Sequence, residues 1–239
     1  METVKFTEKG DVRMIAHRGV SGLEKENTLP AFLLAGQGSY YGIETDLRIT
    51  KDDKFVLFHD DDLKRCFGIE KRVCECNFEW LRSLRFTGKD GAKRADLFLP
   101  TPEEYFSVCK RFDKEAVLEL KAPLTDEQVG EVVQLVRSLG WFSRTTFISF
   151  EQGLLSAVRK RFSDAKLYYL AGECTQEEES FMVEQGVHAD LHYPFLTRER
   201  VEKYHALGIK INCWTVDNVQ DAARLKDWGV DLITSNILE

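Results

Sequence analysis

The amino-acid sequence predicts an α/β fold, a (β/α)8 TIM-type barrel with a small insertion after the third strand. Strand-like runs rich in β-branched and aromatic residues alternate with helical patterns along the chain, which favours a parallel sheet. The composition does not change at mid-chain, and 239 residues is a common length for one such barrel. The first strand is followed by "HRGVSGLEKENT" rather than a Gly-x-Gly-x-x-Gly fingerprint. We therefore predict one barrel domain over residues 1–239, with an open doubly wound sheet as the alternative.

Nine strand-like runs compete for the eight places in the barrel, and the seventh is the weakest of them. They are Val12–Ala16, Gly42–Leu47, Phe55–Phe58, Ala116–Leu120, Thr145–Ser149, Lys166–Leu170, Ala189–Tyr193, Lys210–Thr215 and Asp231–Thr234. Only "RITKDDK" separates the second run from the third, which is too short for a crossover helix. A local hairpin is therefore possible at that point.

Helical patterns fill most of the intervals between these runs. The clearest are Thr28–Gln37, Asp126–Leu139, Glu151–Arg161, Thr197–Leu207 and Asn218–Trp228. In "TDEQVGEVVQLVRSLG", Thr125 or Asp126 can cap the start, valines and leucine form an apolar face, and Gly140 suits the end.

Residues 61–99 form no clear strand–helix unit and are predicted to be an insertion. The segment contains "LKRCFGIEKRVCECNFEWLRSLRF" followed by the glycine-containing "TGKDGAKR". A connection of this length in a compact domain is usually functional or disordered.

Charge and composition exclude several classes of protein. The net charge of -7 provides no overall basic surface for nucleic acid or an anionic membrane. The charged start "METVKFTEKGDVR" is unlike a secretory signal, and no run approaches the roughly 18 apolar residues of a membrane span. The six cysteines form no metal or disulfide framework, so free thiols in a reducing compartment are expected. We predict a cytoplasmic protein without stable membrane association.

Polar and charged residues collect at the ends of the strand-like runs, where the catalytic groups of parallel barrels lie. Residues i and i+2 of a strand share a face, so Glu44 points with Asp46 and Glu119 points with Lys121. Charges inside an apolar strand are costly unless they are paired or bound. The full set is His17, Arg18, Glu44, Asp46, His59, Glu119 and Lys121, with Trp214 in "INCWTV" as a candidate substrate-binding residue.

These residue types together suit the cleavage of a phosphate ester. Three carboxylates, from Glu44, Asp46 and Glu119, form an oxygen-rich set for one hard divalent cation such as Mg²⁺ or Ca²⁺. The cations of Arg18 and Lys121 can bind phosphate oxygens. The imidazoles of His17 and His59 can divide acid and base work near neutral pH.

Each element has a structural interpretation when it is taken alone. His17 or His59 could be an ordinary strand-end histidine, Glu44 and Asp46 could pair with Arg48, and Glu119 with Lys121 could be an internal ion pair. Their joint occurrence favours a site. The other histidines, His188, His192 and His205, are interpreted as structural.

Several motifs resemble the glycerophosphodiester phosphodiesterases. They are "HRG…ENTLPAF…A…GIETDLRITKDDKFVLFHD", "LPTPEEYF", "AVLELK" and "WTVDN…GVDLITS", which span about residues 12–236 in order. The resemblance implies a phospholipase C-like phosphodiesterase barrel that hydrolyses glycerophosphodiesters to glycerol 3-phosphate and an alcohol. It assigns acid/base roles to His17 and His59, metal binding to Glu44, Asp46 and Glu119, and phosphate binding to Arg18 and Lys121.

The resemblance also implies supporting roles for Glu26 and Asn27, and it places the 61–99 insertion over the mouth of the site. Two positions depart from the family pattern. Thr234-Ser235-Asn236 stands where Thr-Asp-x-Pro is usual, and Asp53-Lys54 replaces an Asp-Gly turn. Both departures concern loop geometry, and neither removes a candidate ligand or acid/base group.

The function predicted from the sequence is metal-dependent hydrolysis of small glycerophosphodiesters. A lysophospholipase D activity is an alternative, since Phe67, Phe78, Trp80 and Phe86 of the insertion could form an apolar lip. An inactive phosphate-ester-binding protein of the same fold is the other alternative. It is disfavoured because binding alone would not require two histidines.

Overall fold

Eight parallel strands close into a barrel in the computed structural model, which describes residues 2–239. Each barrel strand pairs with the next, and β1 pairs with both β2 and β9 to complete the ring. The strands are Arg13–Ala16 (β1), Gly42–Ile49 (β2), Phe55–Leu57 (β3), Glu115–Leu120 (β4), Thr145–Ser149 (β5), Lys166–Ala171 (β6), His188–His192 (β7), Ile211–Trp214 (β8) and Leu232–Ser235 (β9). The predicted barrel is confirmed and the open-sheet alternative is wrong.

The strand outside the barrel is β3. It pairs antiparallel with the C-terminal part of β2, with Leu47 opposite Leu57 and Ile49 opposite Phe55. The short connection between β2 and β3 therefore forms a hairpin, the arrangement that the sequence leaves open. Strand β7 pairs in parallel with β6 and β8, so the run interpreted as weakest is a full member of the barrel.

The barrel helices lie between successive strands. The helices of the chain are Leu29–Gln37 (α1), Lys64–Phe67 (α2), Phe78–Ser83 (α3), Pro102–Arg111 (α4), Asp126–Ser138 (α5), Gln152–Arg161 (α6), Gln176–Gln185 (α7), Arg198–Ala206 (α8) and Val219–Trp228 (α9). The side chain of Thr125 caps α5, and Gly140 lies just beyond its end with φ +69°. Helices α4 and α7 are absent from the predicted set, although Thr101 with Glu104 and Thr175 with Glu178 form capping boxes at their starts.

Apolar side chains form three buried clusters. The largest lies between the barrel and its helices, and a small one fills the barrel interior with Ile15, Val117, Ile148, Tyr168 and Leu170. A separate cluster forms inside residues 61–99 and against β3. The insertion therefore has a small core of its own.

The insertion core corrects the proposed apolar lip. Phe86 is fully buried and its ring lies 4.6 Å from that of Phe67 and 6.1 Å from that of Phe58. Phe78 is partly buried against the same cluster, and Trp80 is the one exposed ring of the four. Most of these aromatic residues stabilise the insertion instead of forming a surface.

No helix within residues 2–239 combines the length and apolar character needed to cross a bilayer.

Candidate active site

The three predicted carboxylates meet at the C-terminal end of the barrel. The parallel register of β2 and β4 places Asp46 opposite Glu119, and Glu44 lies two residues earlier on the same face of β2. All three residues are buried, and one oxygen from each lies within 4.8 Å of the others. This spacing matches the donor set of a single cation.

The electrostatics of the three carboxylates fit a divalent cation. Burial, together with the charge of Asp46, raises the pKa of Glu119 to about 8 and raises that of Glu44 well above its ordinary value. Asp46 Oδ1 is buried and makes no aligned hydrogen bond, although Lys121 Nζ lies 3.1 Å away. A cation bound among these oxygens would relieve their repulsion and satisfy the free oxygen atom.

Two side-chain cations flank the carboxylates. Lys121 Nζ donates to Glu119 Oε1 at 2.6 Å, so this pair is an internal ion pair as well as part of the site. Arg18 Nε lies 3.4 Å from Asp46 Oδ2 and is buried without an aligned hydrogen bond. Burial alone would raise the pKa of Asp46, but Lys121 and Arg18 hold it below its ordinary value.

Arg48 does not pair with Glu44 or Asp46. Its guanidinium donates to the backbone carbonyls of His59 and Ala122, at 2.7 and 2.9 Å. The interpretation of the β2 carboxylates as partners of Arg48 is therefore wrong.

The loop after β1 is held in an unusual backbone conformation. Arg18 and Asn27 have φ values of +53° and +51°, in the left-handed region that non-glycine residues rarely adopt. This turn directs the Arg18 N–H to Glu44 Oε2 at 2.8 Å, and Asn27 Nδ2 donates to Asp46 Oδ2 at 2.7 Å. Glu26 lies 3.3 Å from Arg18. The two residues predicted to support the site therefore make direct contacts with it: Glu26 with the Arg18 guanidinium and Asn27 with the Asp46 carboxylate.

His17 is oriented by Asn236, a residue that the sequence marks only as a departure from the family pattern. Its Nδ1 lies 2.7 Å from Asn236 Oδ1, and Asn236 Nδ2 donates to Asp217 at 2.6 Å. Because the amide nitrogen is used by Asp217, the oxygen faces His17 and accepts its Nδ1–H. Burial, reinforced by Arg18, lowers the pKa of His17 to about 4. The ring is therefore neutral, with its lone pair on Nε2.

His59 follows the antiparallel β3, which returns the chain to the barrel mouth. Its Nδ1 lies 2.7 Å from Asp60 Oδ1, and Arg65 of the insertion donates to the same carboxylate at 2.6 Å. Arg65 also contacts Glu26. Burial lowers the pKa of His59, and the hydrogen bond with Asp60 opposes this effect. The Asp60 carboxylate stabilises the protonated form of the His59 ring. The Asn236 amide beside His17 stabilises the protonated form of that ring less strongly.

A cavity of about 100 Å³ lies between these groups. Six of the candidate residues line it, namely His17, Arg18, Glu44, His59, Glu119 and Trp214. Asp46 lies behind them, and Lys121 lines an adjoining depression. The structure therefore brings the predicted residues together at one end of the barrel.

Aromatic rings outside the predicted set surround Trp214. The Phe150 ring lies 5.8 Å from Trp214 edge-on and is 45% exposed, and the His192 ring lies 5.0 Å from it. Phe195 packs on His192 at 5.7 Å. His192, which the sequence analysis interprets as structural, lies close to the cavity because its ring packs on Trp214, and Trp214 lines the cavity. Their positions at the ends of β5 and β7 could have identified these rings from the sequence, because the active sites of barrels are built from residues at strand ends.

The opposite wall of the cavity carries a polar group that is also outside the predicted set. Asp190 on β7 accepts a hydrogen bond from Asn212 Nδ2 on β8 at 2.8 Å, and Asn212 also donates to Thr234 at 2.9 Å. Asp190 is almost fully buried, and burial raises its pKa to about 7.

Comparisons with known proteins identify the relatives of this chain. The model of the glycerophosphoryl diester phosphodiesterase family matches residues 17–238. A glycerophosphodiester phosphodiesterase from Caldanaerobacter subterraneus subsp. tengcongensis is 30% identical over 93% of each chain. A solved glycerophosphodiester phosphodiesterase from Parabacteroides distasonis is 28% identical, with a TM-score of 0.78 over 99% of this chain and 94% of its own.

A third similarity concerns the fold alone. A phosphodiesterase from Oleispira antarctica, solved in complex with sn-glycerol-3-phosphate, superposes with a TM-score of 0.86 at 24% identity, over 94% of this chain and 93% of its own.

The barrel, the acidic cluster at its C-terminal end and the matched relatives define a phosphoric diester hydrolase. Within that class, the chain belongs to the glycerophosphoryl diester phosphodiesterase family.

Proposed function

We propose that this enzyme hydrolyses small glycerophosphodiesters to glycerol 3-phosphate and an alcohol. The observation that carries the proposal is one cavity lined by two histidines and bordered by three buried carboxylates and an arginine. The small size of the cavity, about 100 Å³, supports a small group at the reacting end of the substrate. The names of the matched relatives support the same substrate class.

Glu44, Asp46 and Glu119 would hold one divalent cation, Mg²⁺ or Ca²⁺. When bound, the cation would supply charge stabilisation to the phosphodiester. Arg18 is placed to add to this stabilisation, because its buried Nε has no aligned protein partner. Lys121 pairs with Asp46 and Glu119 and is placed to reach phosphate oxygens from the same side.

The partners of the two histidines support a division of labour. His17 keeps its proton on Nδ1 toward Asn236, so Nε2 is free to accept a proton as general base. His59 is paired with Asp60, which favours the protonated ring, so we assign it as general acid. The nucleophile's O–H loses its proton to His17 as its oxygen forms a bond to phosphorus. The P–O bond to the alcohol breaks, and the departing alcohol oxygen takes a proton from His59.

The nucleophile is either water or a hydroxyl of the substrate's own glycerol. Attack by the glycerol hydroxyl would produce a cyclic glycerol phosphate, which His-assisted hydrolysis would then open. Phosphorus NMR during turnover distinguishes the two routes by the presence or absence of this intermediate.

A turnover screen tests the proposed activity. Purified enzyme would be supplied with glycerophosphocholine, glycerophosphoethanolamine and related head groups, with chelator and with added Mg²⁺ or Ca²⁺. We expect release of glycerol 3-phosphate from at least one substrate in the presence of metal. No release from any of them, together with measurable binding of these esters, would support the non-catalytic alternative instead.

A lysophospholipase D activity is the second candidate. The exposed rings of Phe150 and Phe195 beside the cavity favour it, since they offer apolar surface outside the small glycerol phosphate pocket. Release of choline from lysophosphatidylcholine at a rate comparable to that from glycerophosphocholine would support this activity.

We propose a cytoplasmic location and small-molecule substrates without a nucleic-acid partner. All six cysteines are free, which suits a reducing compartment, and the net charge of -7 disfavours polyanion binding.

A further inference from the structure

A second cavity, of about 660 Å³, lies at the opposite end of the barrel from the candidate active site. Residues at the starts of the strands line it, including Arg13, Lys166 and His188. The apolar cluster inside the barrel separates the two cavities. Ile15, Val117 and Tyr168 of this cluster line the second cavity, whereas Ile148 and Leu170 line the first.

Hydrogen-bond donors without a carboxylate partner line the second cavity. Among residues 2–239, no carboxylate lies within 4.0 Å of the charged groups of Arg13 or Lys210. Arg13 instead donates to the Tyr41 hydroxyl at 2.8 Å, with its guanidinium carbon 4.5 Å from the centre of that ring. His188 Nδ1 accepts the Lys210 backbone N–H at 3.2 Å, so the neutral ring carries its proton on Nε2. Three different side chains can therefore donate to a bound group.

The acidic residues of the cavity are mostly engaged elsewhere. Glu115 is paired with Arg144 at 2.6 Å and with Lys166 at 3.2 Å. Asp231 accepts from the Ile211 N–H at 2.8 Å and lies 3.0 Å from His205. Asp11 is the remaining acid in the lining, and it is exposed.

A further lining residue, Arg159, adds another positive charge. Its donors are taken up by backbone carbonyls, including those of Gln185 and Gly186, and no carboxylate in the described chain lies within 4.0 Å. The guanidinium therefore serves as a fixed positive charge rather than a free donor. The lining holds five cationic side chains and three carboxylates, so it has a local positive excess in a protein of net charge -7; the cations are those of Arg13, Arg159, Lys166, Lys210 and Lys226, and the carboxylates are those of Asp11, Glu115 and Asp231.

We propose that this cavity binds a small phosphate ester with a flat apolar body, of the size of a nucleoside monophosphate. The phosphate would accept hydrogen bonds from Arg13, Lys210 and His188. The body would lie on the apolar floor of Ile15 and Val117 and on the wall where Tyr168 packs edge-on to His188 at 4.9 Å. The volume is within the usual range of about 300–1,000 Å³ for small-molecule sites. This proposal does not depend on the proposed activity.

Calorimetric titration of the whole protein with adenosine 5′-monophosphate and, separately, with inorganic phosphate tests the site. We expect the nucleotide to bind more tightly than phosphate, because only the nucleotide has a body for the apolar floor. The double variant Arg13→Gln, Lys210→Gln should weaken nucleotide binding roughly tenfold or more. The charge-conserving pair Arg13→Lys, Lys210→Arg should retain it, and Lys93→Gln, an exposed change in the insertion, should have no effect.

Arg18→Ala separates this cavity from the active site. Nucleotide binding that survives Arg18→Ala and weakens in the double glutamine variant supports the second site. Binding that is lost in Arg18→Ala and unchanged in the double variant would assign all anion binding to the active site and overturn the proposal. Absence of nucleotide binding at millimolar concentration, or equal affinity for phosphate and nucleotide, would also overturn it. Thermal unfolding midpoints of all variants verify that the barrel is intact.

Discussion

Replacing Asp190 by asparagine should stabilise the protein above neutral pH. The Asp190 carboxyl lies inside the barrel with one protein hydrogen bond, from Asn212, and burial raises its pKa from 3.8 to about 7. Between these values the folded state keeps a proton that the unfolded state has released, so stability falls as pH rises through this window. At about 1.4 kcal/mol per pKa unit, the difference of roughly three units costs about 4 kcal/mol by pH 8. Asparagine keeps the oxygen that accepts from Asn212 and cannot ionise.

Urea unfolding at several pH values measures this effect. The free energy of unfolding of Asp190→Asn minus that of the wild type should be small near pH 4, rise to about 4 kcal/mol near pH 7, and stay level above it. Chelator in all samples keeps bound cations from altering the result. Asp227→Asn, an exposed change, serves as the matched control and should show no such rise. A difference that does not depend on pH, or that falls as pH rises, would refute the assignment of Asp190 as a buried neutral acid.

Three further predictions concern catalysis, metal binding and specificity. Replacing either histidine by alanine should lower the rate on glycerophosphocholine roughly 10²–10⁴-fold. A nitrophenyl phosphodiester has a leaving group that needs no proton, so on this substrate the rate of His59→Ala should largely recover and that of His17→Ala should not. Equal losses on both substrates would contradict the division of roles. Glu119→Gln should keep the fold and weaken Mg²⁺ or Ca²⁺ binding measured by calorimetry, because it removes one ligand charge at nearly constant shape; unchanged affinity would exclude Glu119 as a ligand. Phe150→Ala should change the ranking of head groups and acylated substrates in kcat/KM, whereas Trp80→Ala, at a similarly exposed ring of the insertion, should not; the reverse result would assign the specificity role to the insertion.

The pattern of residues at the strand ends is enough to predict most of the candidate site. His17, Glu44 and Glu119 follow or occupy apolar runs, and a parallel barrel requires such residues to meet at one edge. Periodicity also predicts all nine strands to within one residue at each end, except that β2 continues two residues further, to Ile49. It does not identify α4 and α7, although capping boxes mark both starts. Helix α4 also has an apolar face, with Tyr105, Phe106 and Cys109 buried, whereas α7 buries Met182 alone among its described residues.

The insertion shows where local pattern is misleading. The sequence allows its four aromatic residues to form an apolar lip, which is the basis of the lysophospholipase D alternative. In the fold, Phe86 and Phe67 pack on Phe58 of the strand end, and the residue that contacts the site is Arg65. Burial depends on what packs against a side chain, which sequence neighbours do not specify.

Periodicity and spacing along the chain predict the fold class and the chemical types of the site residues, and the family is indicated by the resemblance of several motifs in order. Which residues face one another follows from the tertiary structure. The register of β2 against β4 places Asp46 opposite Glu119, and closure of the barrel brings Asn236 to His17 across 219 positions of sequence. It also buries Asp190 beside Asn212 of the neighbouring strand. Protonation and proton transfer depend on distance and burial, and these quantities exist only after the chain has closed into the barrel.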